Sequence, residues 1–423
     1  MKFSIFTASH DLKNIDKPLN SLKKQTFKDF EWVILLNGNA VLEYDNLIER
    51  LKNSNLRFNV LTDMSDNKNI GYLKKECCKN ADGEILVELD HDDELTPDCL
   101  EELENAFRNE YDFCYSDDYY VEPVDGKDKY ITPFNSSGGW KIKVDKDGNK
   151  YPQSFPPSAL SFSYIWYAPD HVRAWKKDFY EKIGGHNKDL DVCDDYDLMC
   201  RSYILGKCHR IDKPLYKYYA YPDRTSAKEK NEKIQELTHV LHDKYILDLA
   251  SKWSSENNLK KVDLCCGQKP VGDFIGIDKK DFHNGSIVYD LDKPDWPFES
   301  GSVGVFRAWN ALNGLRNPIQ TMKEIYRCLA DYGWVIIDMP STDGRGAFQN
   351  PNNVSYWNTN SFWYYTKHDF AKEIGVPVKF QLNRIYNYFP SEFERFHNIV
   401  YAKAHLVKLP EKGFEIPIHG REI

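Results

Sequence analysis

The chain has 423 residues, 41% hydrophobic and 14% aromatic, which is enough apolar material for two packed α/β domains. Lysine and arginine number 56 against 65 aspartate and glutamate, a formal charge of -9, and no dense basic run occurs, so nucleic acid is not expected as a main ligand. The ten cysteines are scattered, with adjacent pairs at Cys77-Cys78 and Cys265-Cys266 but no paired CxxC units, a pattern of reduced thiols in a cytoplasmic compartment and not of a structural zinc site.

The first residues run directly into a strand pattern, Phe3 to Thr7, without a signal-peptide core, and no apolar stretch approaches a transmembrane segment; a soluble protein is expected. A helix around Pro18 to Lys24, a strand at Trp32 to Leu36, a helix around Leu42 to Leu51 and a strand at Phe58 to Leu61 follow, the alternation of a doubly wound sheet. The apolar strand Ile85 to Leu89 then delivers Asp90, Asp92 and Asp93 to one point at its carboxyl end. Carboxylates crowded this closely suit a hard divalent cation such as Mg²⁺ or Mn²⁺, which recruits phosphate oxygens. The same residues also read as a solvated acidic loop opening a helix, with Thr96 as cap, Pro97 and Asp98 in the first turn, and Leu100, Leu103 and Phe107 at helical spacing.

Phe113 to Asp117 reads as a further strand, and from Pro123 to about Pro157 the chain is rich in glycine, proline, serine and charge, with a hairpin signal at Asp147-Gly148. Asp145 to Gly148 superficially matches part of a calcium loop, but the remaining ligands are missing and a plain turn is expected. The aromatic run Phe162, Tyr164, Trp166, Tyr167 and Trp175, with His171 inside it, reads chiefly as core; Trp166 and His171 are weak site candidates without an assigned role. Residues 225–259 are polar and helix-prone, with Leu237, Leu241, Tyr245 and Leu249 behind, and read as a helical linker between domains at 1–224 and 260–423.

Several landmarks of the first half, in order, resemble a family 2 glycosyltransferase of the GT-A type. They are the opening Ser4 to Ser9, the stretch Ser21-Leu22 through Gln25-Thr26 to Phe30-Glu31, Asn69-Ile70-Gly71, and Ala81-Asp82-Gly83-Glu84 leading into the acidic motif. The resemblance implies a nucleotide-sugar donor, Mn²⁺ or Mg²⁺, and a glycan or other hydroxyl acceptor. It carries Thr7, Asn37, Lys75 and Asp90 to the nucleotide-sugar and Asp92 or Asp93 to the metal. Cys193-Asp194-Asp195-Tyr196-Asp197 resembles the family's second acidic motif, which places Asp195 as the base of an inverting displacement; Asp194 and Asp195 also read as complementing a helix start, and the two readings are compatible. Asn37 departs from the aspartate the family often has there, and Lys75 reads as readily as an exposed helix lysine.

The second half opens another αβ alternation. Val262-Asp263-Leu264-Cys265-Cys266-Gly267 is a strand entering a small-residue turn, and Phe274 to Asp278 is a strand ending in an acid. With Tyr289-Asp290-Leu291-Asp292 and the helix-to-strand passage Glu324 to Ile337, it resembles a class I S-adenosylmethionine-dependent methyltransferase over about residues 260–375. The resemblance implies a Rossmann-like fold with Asp263 and Gly267 at the cofactor turn, Asp278 at the ribose and Asp290 near the adenine. Cys265 and Cys266 depart from the glycine-rich form of the turn, and Asn310 to Gly314 departs from relatives with a Glu-His pair, leaving no evident base. The expected fold is therefore two Rossmann-like α/β domains, a glycosyltransferase joined to a methyltransferase. The alternatives are an inactive second domain acting as scaffold, a noncatalytic carbohydrate- or nucleotide-binding protein, and methyl transfer as the sole activity.

Overall fold

A computed structural model describes residues 1–65, 67–132, 140–165, 167–221, 228–282, 286–376 and 378–410. The chain divides into two compact units, Met1–Leu249 and Ala250–Ile423. The division falls inside helix Lys228–Glu256, within the expected linker; the expected boundary at 224/225 lies outside the described residues.

In the first unit the strands are β1 (Phe3–Ser9), β2 (Phe30–Asn37), β3 (Arg57–Asp63), β4 (Ile85–Glu88), β5 (Glu94–Leu95), β6 (Phe113–Val124), β7 (Lys127–Ile131), β8 (Lys141–Val144), β9 (Lys150–Gln153), β10 (Arg173–Lys176) and β11 (Cys208–Tyr219). Among the described residues, nine of them form one sheet in the order β3-β2-β1-β4-β10-β6-β11-β5, with β7 paired to β6. Among β1 to β4 every pairing is parallel; β1, β2 and β4 are almost wholly buried, whereas β3, at the sheet edge, is part-exposed. β10 enters antiparallel between β4 and β6, setting Ala174 opposite Val87 and Arg173 opposite Tyr115. β8 and β9 make a separate hairpin at the expected turn, where Asp145 Oδ1 accepts from the backbone N–H of Asp147 and Asn149 at 2.8 and 2.9 Å. That carboxylate is used as a turn residue uses it.

The helices bearing on the site are α1 (Asp16–Lys23), α2 (Tyr44–Lys52), α3 (Ile70–Lys79), α4 (Cys99–Phe107), α5 (Ala159–Phe162), α6 (Lys177–Lys182) and α7 (Asp194–Leu205). Two glycines of the sequence landmarks are fixed by close approach. A Cβ on Gly71, at the start of α3, would lie 2.0 Å from the carbonyl oxygen of Asn187, and one on Gly83 would lie 2.4 Å from the Ser4 nitrogen.

The second unit holds β12 (Lys260–Leu264), β13 (Ile275–Asp278), β14 (Ile287–Val288), β15 (Val303–Trp309), β16 (Leu329–Pro340), β17 (Phe380–Tyr388) and β18 (Tyr401–Lys408). They form one sheet in the order β14-β13-β12-β15-β16-β18-β17, parallel except for β18, which is antiparallel to both neighbours. The order reverses between β12 and β15, a switch point of the kind that opens a crevice at the carboxyl ends of strands. No helix among the described residues is long and apolar enough to cross a membrane, and all ten cysteines are free thiols.

Candidate active site

The carboxyl ends of β1 and β4, the start of β10 and the first turn of α7 converge on a group of ionised side chains. Glu88, the last residue of β4, is 1% exposed and sits between two cations: its Oε1 is 2.5 Å from Lys74 Nζ and its Oε2 is 3.0 Å from Arg173 Nε. Burial opposes its ionisation, but Arg173 and then Lys74 outweigh burial and hold the carboxyl well below its usual range. Arg173 also places Nη1 2.8 Å from Asp195 Oδ2 and Nη2 2.6 Å from His171 Nε2. A guanidinium can only donate, so His171 accepts at Nε2 and carries its proton on Nδ1, 3.1 Å from Asp170 Oδ1.

Asp195 lies in the first turn of α7 with about a third of its side chain (35%) exposed. One oxygen faces Arg173 and the other accepts from the Tyr196 N–H at 2.7 Å. Burial alone would raise its pKa; Arg173 and Lys74 together lower it, so Asp195 is ionised at neutral pH. Its neighbour Asp194 is buried, 3.7 Å from Lys74 Nζ and 3.7 Å from His186 Nε2, and burial pushes its carboxyl up to about 6 against the pull of Lys74. The helix dipole favours both acids at this position, and the reach of Arg173 separates their roles.

At the acidic turn, Asp90 is part-exposed, with Oδ2 3.6 Å from His171 Nε2 and its N–H donating to the Tyr216 hydroxyl at 3.1 Å. Asp90 and Asp195 thus lie on either side of the Arg173–His171 pair, Asp195 bonded to Arg173 and Asp90 beside the His171 ring. Asp93 is fully inside: its Oδ1 accepts from Tyr219 N–H at 2.7 Å and its Oδ2 from Tyr216 Oη at 2.9 Å. It anchors the turn on β11, which leaves Asp90 and Asp92 as the more open carboxylates. Burial raises the carboxyl of Asp92, and Asp90 and Asp11 raise it further against the pull of His91; burial, then Asp92 and Asp90, push that of Asp93 well up. Oxygen donors that repel one another in this way fit a hard divalent cation. Glu88, Asp90 and His171 also have donor atoms within 4.8 Å of one another, but Glu88 already carries Lys74 and Arg173, so Asp90 and Asp92 are the better cation holders.

Of the remaining expected residues, Thr7 is buried, its hydroxyl donating to the Leu89 carbonyl at 2.7 Å and accepting from Trp32 Nε1 at 2.9 Å. It ties β1 to β4 and has no second proton to offer a ligand. Asn37 ends β2 part-exposed. Lys75 Nζ donates to the Gly184 carbonyl at 2.9 Å. Trp166 lies outside the described residues.

Sequence reasoning passed over Glu88, Lys74 and Arg173. The available signals were a charge inside an otherwise apolar strand, Ile85 to Leu89, which requires a partner, and the alternation of His171 and Arg173, which puts both on one face.

Residues 5–166 match the family model of Glycosyl transferase family 2. The family 2 segment contains most of β1, and β4, Asn37, Lys75 and the acidic turn; His171, Arg173 and Asp195 lie beyond it. No curated protein sequence matches the chain. Among solved structures, Staphylococcus aureus TarS 1-349 in complex with UDP-GlcNAc is 17% identical, covering 60% of this chain and 73% of that one with a TM-score of 0.45. GalNAc-T7 with UDP, GalNAc and Mn²⁺ is 12% identical, covering 57% of this chain and 48% of that one with a TM-score of 0.44. A longer S. aureus TarS is 18% identical with a TM-score of 0.42; 57% of this chain is covered, spanning 39% of that protein. At such identities and scores these likenesses add nothing to the assignment of either unit.

In the second unit, β12 ends in the expected turn, with Cys265 and Gly267 both at positive φ. The Gly267 N–H donates to Asp278 Oδ2 at 3.1 Å, and beyond its chain neighbours no atom lies within 4 Å of where a Gly267 Cβ would stand. Asp263 is buried rather than open to the turn: both of its oxygens lie 2.9 Å from Arg307 Nη1, and its Oδ2 accepts from Val271 N–H at 3.1 Å. Asp290 is exposed and its Oδ1 accepts from Asp292 N–H at 3.2 Å. The turn and Asp278 are therefore together, Asp263 is held behind them by Arg307, and Asp290 is at the surface.

Proposed function

We propose that the first unit transfers a sugar from a nucleotide-sugar donor to a hydroxyl of a glycan or other acceptor. The observation that carries this reading is the acidic turn at the carboxyl end of β4, inside the family 2 segment and beside the Arg173–His171 pair whose guanidinium holds the ionised, part-exposed Asp195. Asp90 and Asp92 are the residues that would hold a divalent cation, Mg²⁺ or Mn²⁺, which when bound neutralises charge on the departing nucleoside diphosphate.

Asp195 accepts the acceptor hydroxyl proton as the acceptor oxygen bonds to the anomeric carbon and the bond from that carbon to the diphosphate breaks. A single base opposite the leaving group gives inversion. Arg173 keeps Asp195 charged and pointed; Asp93 keeps the turn in place through Tyr216 and Tyr219. Asn37, whose amide at the end of β2 can both donate and accept, is the residue proposed to read the nucleotide base, and Lys75 lies on helix α3.

Asp195→Asn is expected to reduce turnover by about 10²- to 10⁴-fold, the usual range for a positioned acid or base, while Mn²⁺-dependent binding of the nucleoside diphosphate, read by thermal unfolding, stays unchanged. Wild-type turnover in the variant would remove Asp195 from the reaction.

For the second unit we propose binding of S-adenosylmethionine at the turn after β12. The switch point in the strand order, the open space at Gly267 and the Asp278 contact support this reading; the family 2 match does not reach it. Asp278 is the residue left to meet ribose hydroxyls, since Asp263 is committed to Arg307 and Asp290 stands at the surface. A hydroxyl of the glycosylated product is the proposed methyl acceptor. A thermal shift of the full chain with S-adenosylmethionine, absent in Asp278→Ala, tests the binding; no shift with either protein would leave the unit a scaffold.

A further inference from the structure

A second group of donor atoms stands beside the acidic turn with a different chemistry. His10 follows β1 by one residue and His91 follows β4 by three. The two strands are adjacent and parallel, with Phe6 opposite Glu88, and their exits are tied by the Thr7 hydroxyl on the Leu89 carbonyl and by the Leu89 N–H on the Phe6 carbonyl at 3.2 Å. His10 and His91 are therefore delivered together, their rings 5.0 Å apart and at 77°.

Asp11 completes the group. The loop that carries it is fixed by its own hydrogen bonds: Ser9 Oγ donates to the Asp11 carbonyl, Lys13 N–H to Asp11 Oδ1 at 3.0 Å, and Ala40 N–H to the His10 carbonyl at 3.1 Å. That leaves Asp11 Oδ2 facing His10 Nε2 at 3.3 Å. Donor atoms of His10, Asp11 and His91 all lie within 4.8 Å of one another. Two ligands on a tetrahedral ion with bonds of about 2.0 Å stand about 3.3 Å apart, the separation this nitrogen and oxygen already have.

We propose that His10, Asp11 and His91 form a binding site for a borderline transition-metal ion such as Zn²⁺ or Co²⁺. Two imidazoles and one carboxylate favour such an ion over Mg²⁺, which takes oxygen donors. With His10 68% and Asp11 42% exposed at the side chain, the remaining coordination positions are open to water or to an oxygen of a ligand. The site differs in donor set from Asp90 and Asp92, and its existence does not depend on sugar transfer.

The test is a Co²⁺ titration of the full chain followed by visible absorption. A ligand-field band is expected, displaced by Zn²⁺ but not by excess Mg²⁺. Its apparent affinity should fall by on the order of tenfold or more in His10→Asn and in His91→Asn, and persist in Asp92→Asn. The proposal is overturned by absence of the band, by a band unchanged in both histidine variants, or by a band lost in Asp92→Asn alone, which would put the ion on the carboxylates. Nucleotide binding with Mg²⁺, measured in parallel, reports separately on the glycosyltransferase reading.

Discussion

Arg173 reaches Asp195 through Nη1 at 2.8 Å and Glu88 through Nε at 3.0 Å, so one buried guanidinium spans the last residue of β4 and the first turn of α7. Its fork permits this; a lysine ammonium in the same place is a single point charge. The contact makes Asp195 a carboxylate that is always ionised near neutrality and held in one orientation. Arg173 is thus a positioning residue for the proposed base.

Arg173→Lys is expected to retain the charge but lose the two-sided geometry. Because Arg173 lowers the Asp195 pKa, weakening it moves the acid limb of the pH profile of kcat/KM to higher pH and lowers kcat. A purely structural role would lower the folded fraction without moving that limb. The pH profile of the soluble variant distinguishes the two.

Glu88→Gln leaves Lys74 and Arg173 facing a neutral amide in a buried place. Breaking a buried pair from one side typically costs about 3–5 kcal/mol. The denaturant midpoint of the first unit should fall accordingly, with the transition of the second unit unmoved.

His186 is fully buried, its Nδ1 2.8 Å from the Tyr180 hydroxyl, and burial presses its pKa from 6.5 to about 3. Between those values the unfolded chain binds a proton that the folded chain refuses, so stability present above about pH 6.5 is lost as pH falls towards about 3. Asp194, with its carboxyl raised to about 6 by burial, works in the opposite sense. His186→Phe should lower stability at neutral pH by removing the Tyr180 contact, yet make the acid slope shallower by up to about 1.4 kcal/mol per pH unit. Equal slopes in equilibrium unfolding from pH 7 to 4 would contradict this.

Gly71→Ala would put a methyl 2.0 Å from the Asn187 carbonyl oxygen, a backbone atom that cannot step aside. The loop before α7 must then move, and Asp195 with it. The expected result is a lower Tm together with weakened turnover, whereas Gly148→Ala, in a hairpin with open space around it, should strain only the turn.

The features legible in the chain were local. Period-2 and period-3.6 patterns located β1 to β4, β6, β12, β13, α1, α2 and α4, the Asp147-Gly148 hairpin, and the acidic turn at the end of β4, because each depends on residues a few places apart. The tertiary structure decided the pairings. Glu88 meets Lys74 and Arg173, Asp93 meets Tyr216 and Tyr219, and Asp263 meets Arg307 across distances in sequence that no local pattern encodes. Only the antiparallel entry of β10 beside β4 brings Arg173 to Glu88, and only the pairing of β12 with β15 turns Asp263 from a ligand candidate into a buried partner of Arg307. A charge in a strand announces that it needs a counter-charge; which residue supplies it is fixed by strand order, and strand order is settled when the sheet buries its apolar faces.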